Sequence, residues 1–182
     1  MPIDPLGHAL LTIARNAIEK AFGMKCQTVT PHPDLSQPGA TFVTLMENGE
    51  LRGCIGSLEA HRPLATDVAE NAYAAAFQDP RFEPLRQDEL PQTRVEVSLL
   101  ETPQTLQFAD ETEALAQLCP GVDGLILCLG RRRATFLPQV WETLPEPCQF
   151  MAYLKRKAGL PPDFWDNRIT LARYGVQKWK EK

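Results

Sequence analysis

Apolar and polar positions alternate with two periods along this chain, and the switches between them mark its elements. Leu6, Leu10, Ile13, Ala14, Ala17 and Ile18 recur at helical spacing, which predicts a helix over residues 4–22. Asp4 suits its N-cap, Pro5 its first helical position and Gly23 its stop. The proline-rich stretch that follows, through residue 39, reads as loop. Residues 41–47 and 50–58 then flank Asn48-Gly49, the preferred pair for a two-residue type I′ hairpin turn. Counting outward from that turn sets Glu47 opposite Glu50, Leu45 opposite Arg52 and Val43 opposite Cys54. On this register Arg52 and Cys54 share one face of the sheet. A second helix starts near Pro63 and ends at Asp79-Pro80, with Leu64, Val68, Ala72 and Ala75 as its apolar stripe. Residues 94–99 alternate as a strand.

The second half repeats the order. A short helix is predicted over 111–118, a hairpin over 124–129 and 132–137, a helix over 147–158 and a last strand over 168–177. Each half thus reads helix, β-hairpin, helix, strand. The expected fold class is α+β, with mainly antiparallel sheets in two docked lobes of a single domain over 1–182. The first lobe covers 1–101 and the second 102–182, joined by an apolar link near residues 101–108.

Composition narrows the function classes. The chain has 182 residues, a net charge of −4 and 43% hydrophobic residues, an ordinary globular profile. Its acidity opposes indiscriminate binding to nucleic acid or anionic membranes. No apolar run reaches the length of about 18 residues that a membrane span needs. The N-terminus lacks the basic start and small-residue cleavage site of a signal peptide, so a cytoplasmic protein with no membrane association is expected. Five cysteines, an odd count without a C-x-x-C pair, oppose both a disulfide framework and a closed zinc site. No metal and no cofactor is expected.

Candidate chemistry gathers at Leu51-Arg52-Gly53-Cys54-Ile55-Gly56. Two glycines weaken a strand and mark a bulge or a place where a backbone or ligand comes close. They bracket a thiol two residues after an arginine, and a nearby cation favours thiolate. On this reading Cys54 is the candidate catalytic residue, and Arg52, Gly53, Ile55 and Gly56 form the binding surface around it. Glu59 and His61 follow within reach of a turn and complete the candidate binding set, with Asp67 a possible orienter. A plainer reading stands beside it: Cys54 is a small core hydrophobe, and the glycines let the following helix pack closely. Glu96 on the next strand is a candidate partner for Arg52, and Asp79 and Arg81 could bridge their turn to the sheet. The basic runs Arg131-Arg132-Arg133 and Lys155-Arg156-Lys157 read as a solvated hairpin tip and a helix C-terminus whose cations complement the macrodipole. An anion or RNA surface is the alternative for them.

The stretch Leu51–Gly56, continued by Ser57-Leu58-Glu59-Ala60, resembles the signature of the AMMECR family, also called protein A of the AmmeMemoRadiSam system. The likeness extends through Asp79-Pro80-Arg81-Phe82-Glu83-Pro84-Leu85 and Val95-Glu96-Val97-Ser98. It resumes over residues 124–127, 132–141 and 157–161, and ends at Trp165. The resemblance implies a two-lobed α+β fold and carries no established reaction. It does imply a context, a modification system in which the partners are a Memo-like protein and a radical SAM protein. Three functions are compatible with these observations. The first is an enzyme component using Arg52 and Cys54 on a small molecule or protein, and the second a non-enzymatic protein-interaction module. An RNA or anion binder ranks last, because aromatic residues do not interleave the basic runs.

Overall fold

The chain from Asp4 onward is described by a computed structural model covering residues 4–182. Helix α1 (Pro5–Ala21) begins where expected, with Asp4 at the N-cap position and Pro5 in the first turn, although the Asp4 side chain makes no capping bond. Gly23, at φ +74°, ends it. A two-residue strand, β1 (Pro38–Gly39), precedes the hairpin β2 (Thr41–Glu47) and β3 (Glu50–Gly56). The turn has φ of +51° at Asn48 and +86° at Gly49, the pair of positive values that a type I′ turn requires. Strand β4 (Arg62–Pro63) pairs with β1 and leads into α2 (Leu64–Phe77). Strand β5 (Thr93–Leu100) then pairs antiparallel with β2.

Alternation along β2 sends Thr41, Val43 and Leu45 to one face, where all three are buried. Together with Val95 and Val97 of β5 they meet Leu10, Ala14 and Ile18 of α1 and Val68, Ala72 and Ala75 of α2 in one apolar core. Phe42, Thr44 and Met46 lie on the opposite face, half-buried.

The second unit spans Glu101–Val176. It holds β6 (Gln104–Thr105), α3 (Glu111–Ala116), the hairpin β7 (Gly124–Leu129) and β8 (Arg132–Phe136), α4 (Pro147–Lys157) and β9 (Thr170–Tyr174). Its sheet runs β6-β9-β7-β8. Leu125, Leu127 and Leu171 from that sheet pack on Phe150, Met151 and Leu154 of α4. Trp141 stacks on Phe150 at 3.8 Å and donates its indole N–H to the Asp123 carbonyl. The predicted order of helix, hairpin, helix and strand is present in both units, and the fold is α+β.

Two expectations are corrected here. The last strand is broken at Gly175 into β9 and β10 (Val176–Lys180), and β10 is the outer strand of the first sheet, ordered β10-β5-β2-β3. Gln177–Lys182 therefore belongs to the first unit and not to a second lobe running to residue 182. Trp179 of β10 lies against α1 at Gly7. The Glu181 carboxylate accepts the Val95 N–H and pairs with Arg15. Lys155 is likewise no part of a solvated run. It is 1% exposed, pairs with Glu111, donates to the Pro162 carbonyl and sits over the Trp165 ring.

Candidate functional site

The hairpin register follows the turn for only two pairs. Glu47 faces Glu50 and Met46 faces Leu51, but Leu45 then faces Gly53, Thr44 faces Cys54 and Val43 faces Ile55. Arg52 is the extra residue of a β-bulge, and the pairings of Leu45 with Arg52 and Val43 with Cys54 do not form. A bulge adds one residue to one strand and shifts every later side chain to the other face. It moves Gly53 and Ile55 to the core face, and puts Cys54 on the face of Phe42 and Thr44.

The two glycines have partners within the protein. A Cβ on Gly53 would run into the Ala75 carbonyl oxygen, so α2 packs backbone against strand there. A Cβ on Gly56 would enter the ring of Phe42, its cross-strand neighbour. Ile55 packs against the core cluster. All three are taken up by contacts within the protein, and the spacing of the glycines is explained by packing on the two faces of the strand.

Arg52 is only 13% exposed at its side chain, and its guanidinium donates to both carboxylate oxygens of Glu89, at 2.9 and 3.2 Å. Glu47 lies 4.0 Å from its Nε. The expected partner, Glu96, instead faces Thr44 from β5. The hydrogen bond from Arg52 lowers the Glu89 pKa, against the opposing effect of burial. Arg52 thus fastens the bulge to the 3-10 turn at Gln87–Gln92.

Cys54 is half-buried, with Sγ 3.2 Å from the Thr44 hydroxyl. As β3 is an edge strand, the backbone N–H and C=O of Cys54 have no strand partner on the outer side. The Asp79-Pro80-Arg81 turn supplies one. The Cys54 N–H donates to Asp79 Oδ2 at 2.9 Å, and Arg81 Nη2 donates to the Cys54 carbonyl at 3.3 Å. Arg81 also forks onto Asp79 through Nε and Nη2, at 3.0 and 2.7 Å. Asp79 is almost fully buried, whereas Arg81 is 55% exposed at its side chain. The hydrogen bond from Arg81 holds the Asp79 carboxyl far below the usual carboxylate range, against the opposing effect of burial. Phe82 sits beneath both guanidinia, its ring centre 6.0 Å from Arg52 and 5.5 Å from Arg81. Arg81, not Arg52, is therefore the guanidinium that contacts Cys54, through its backbone carbonyl. In the sequence Arg81 was signalled as a bridge from the Asp-Pro-Arg turn to the sheet and by its place in the family-like stretch, not as a neighbour of Cys54.

Beyond Gly56, the Asp67 carboxylate gathers five donors: the Thr41 N–H and hydroxyl, the Ser57 hydroxyl, Arg62 Nε and Asn71 Nδ2. This buried cluster, invisible to spacing, ties the end of β3 to α2. His61 is 72% exposed and pairs with Glu59 at 3.1 Å. Asp67 is turned to this cluster, so a set of thiol, base and orienter is not assembled. Among the described residues no group of three or more His, Cys, Asp or Glu is placed to hold a metal ion, and all five cysteines are free thiols.

The AMMECR1 family model matches residues 11–179. The chain belongs to the AMMECR1 family. A relative from Methanothermobacter thermautotrophicus is 39% identical over 96% of this chain and 94% of its own length. One from Saccharolobus solfataricus is 36% identical over 98% of this chain and 82% of its own. The crystal structure of uncharacterized protein PH0010 from Pyrococcus horikoshii superposes with a TM-score of 0.81 at 32% identity, covering 98% of this chain and 93% of that one. In this AMMECR1-family member, the stretches Leu51–Gly56 and Asp79–Leu85 meet along a single strand edge. No helix among the described residues is long and apolar enough to cross a membrane.

Proposed function

We propose that the chain is a component of a modification system and presents the edge of β3, with Cys54 and Arg81, to a substrate or protein partner. The partner classes are those that the family resemblance carries, a Memo-like protein and a radical SAM protein. The observation that supports this reading is the clamped backbone of Cys54. Cys54 is held at N–H and C=O by a buried carboxylate and an exposed guanidinium. A side chain fixed by such second contacts presents its reactive atom in one place. The remaining edge of the guanidinium suits a carboxylate or phosphate on the incoming molecule. Arg52 takes a structural part, fastened to Glu89, and anion recognition passes to Arg81.

The competing reading is a non-enzymatic interaction module. Leu51 within the strand and Leu58 beyond its end, 41% and 46% exposed, favour it. Iodoacetamide labelling of the native protein, followed by peptide mass spectrometry, separates the two. The proposal expects Cys54 to react in the folded state and to slow by about threefold or more at pH 7 in Arg81→Gln. A Cys54 that reacts only after unfolding sinks the thiol mechanism. A rate indifferent to Arg81 supports the interaction module.

A further inference from the structure

The second unit collects its positive charge at one corner. Six of its eight Lys and Arg residues lie at 131–133 and 155–157; the other two are Arg168 and Arg173. Lys155 faces inward and pairs with Glu111, Arg168 pairs with Asp166, and Arg173 lies 4.0 Å from Asp123. Arg131, Arg132, Arg156 and Lys157 differ, because among the described residues none of them has a carboxylate partner.

These four are brought together by backbone contacts. Arg132 donates to the Gly159 carbonyl and Lys157 Nζ to the Thr135 carbonyl at 3.0 Å, so the tip of the β7–β8 hairpin lies beside the end of α4. Arg156 lies over the ring of Tyr153, 5.3 Å from its centre, and Tyr153 is 49% exposed. Tyr153, Arg156 and Lys157, at i, i+3 and i+4, share a helix face. Complementing the helix macrodipole accounts for Arg156 and Lys157, and guarding an edge strand accounts for a charge on β8. Neither accounts for Arg131 in the turn itself or for an exposed tyrosine carrying a guanidinium.

We propose that this corner is a docking surface for an acidic segment of a partner protein. Guanidinium forks match carboxylates in geometry as well as charge. Tyrosine and arginine are the residue types that most often dominate interface energetics. Arg132 and Lys157 are already held by carbonyl oxygens, which reduces the ordering cost of binding. The chain carries −4 overall, so setting these four cations aside leaves the remainder at −8. That remainder repels a long polyanion such as RNA, whereas a short acidic segment need touch only the corner.

The test uses the full chain and a fluorescein-labelled peptide of eight glutamates, followed by fluorescence anisotropy at low salt. A labelled uridine octanucleotide is run in parallel. Peptide binding is expected to weaken by about tenfold or more in R131E/R156E, whose wild-type side chains make no hydrogen bond among the described residues, and to fall similarly at 300 mM salt. R131Q/R156Q should act in the same direction with a smaller loss, and covers the case in which the charge reversal perturbs folding. Arg86→Glu, on the first unit, should leave binding unchanged. No binding of the peptide at low salt, or equal binding by wild type and R131E/R156E, overturns the proposal. So does tighter binding of the oligonucleotide that is lost in R131E/R156E, which would make the corner an RNA surface.

Discussion

Replacing Asp79 by alanine tests whether the Asp-Pro-Arg turn holds the edge of β3. The Asp79 carboxylate, 2% exposed, accepts from the Cys54 N–H, the Arg81 N–H and the Arg81 guanidinium. Arg81 is exposed enough to be rehydrated when the carboxylate goes, so no stranded cation adds to the cost. The cost falls on the two amides. A buried donor left without an acceptor costs about 1–3 kcal/mol, and water can reach part of this edge. A loss of about 2–3 kcal/mol is therefore expected, read from urea-induced unfolding at constant m-value. Arg81→Ala leaves the buried Asp79 carboxylate without its cation and should cost about 1–3 kcal/mol. The dependence on pH has a definite sign. The folded-state pKa of Asp79 lies below its unfolded value, first through the hydrogen bond from Arg81. Its stabilisation is present in full above the unfolded pKa, about 4, and is lost as the pH falls through the folded value. The gap between wild type and Asp79→Ala should thus narrow below pH 4. A variant within about 0.5 kcal/mol of wild type at pH 7, or a gap constant down to pH 2, would refute this account of the edge.

Two further substitutions address the frame around the site. Gly53→Ala should cost about 1–3 kcal/mol, since a methyl there meets the Ala75 backbone; a neutral midpoint shift in urea would show that α2 yields easily. Trp179→Ala removes the aromatic cover of α1 at Gly7 and should lower stability by about 2–3 kcal/mol, somewhat less than a fully buried tryptophan, measured by thermal unfolding of the first unit.

Local signals in the chain recovered the elements well. Asn48-Gly49 located the first hairpin because asparagine and glycine take the positive φ of a type I′ turn more readily than other residues. The hairpin over 124–129 and 132–136 turns instead on a single positive φ, at Gly130. The two glycines allowed for a bulge, but its position at Arg52 was hidden, because Leu51 and Arg52 keep an ordinary apolar–polar alternation. Both glycines were correctly read as places of close approach. The approaching groups, Ala75 and Phe42, are long-range partners that spacing cannot name. Lys155 was misplaced by its charge, although the pattern held a clue. It stands four residues after Met151 and three before Ala158, on the inward stripe of α4. At the candidate site, Cys54 and the Asp79–Arg81 turn were both noticed, but their juxtaposition depends on which strand lies at the sheet edge. The Asp67 cluster joins four separate segments, and only the folded chain brings them together.

The placement of β10 bears on how the molecule is made. Its residues follow the whole second unit in the chain, yet they complete the first sheet beside β5. During vectorial synthesis the earlier-made part cannot close before the later one has emerged. Until then the outer side of β5 offers unpaired amides and carbonyls to any neighbouring nascent chain. The interval is set by translation of residues 101–176, so slowing the ribosome there prolongs the window in which the first sheet can pair wrongly.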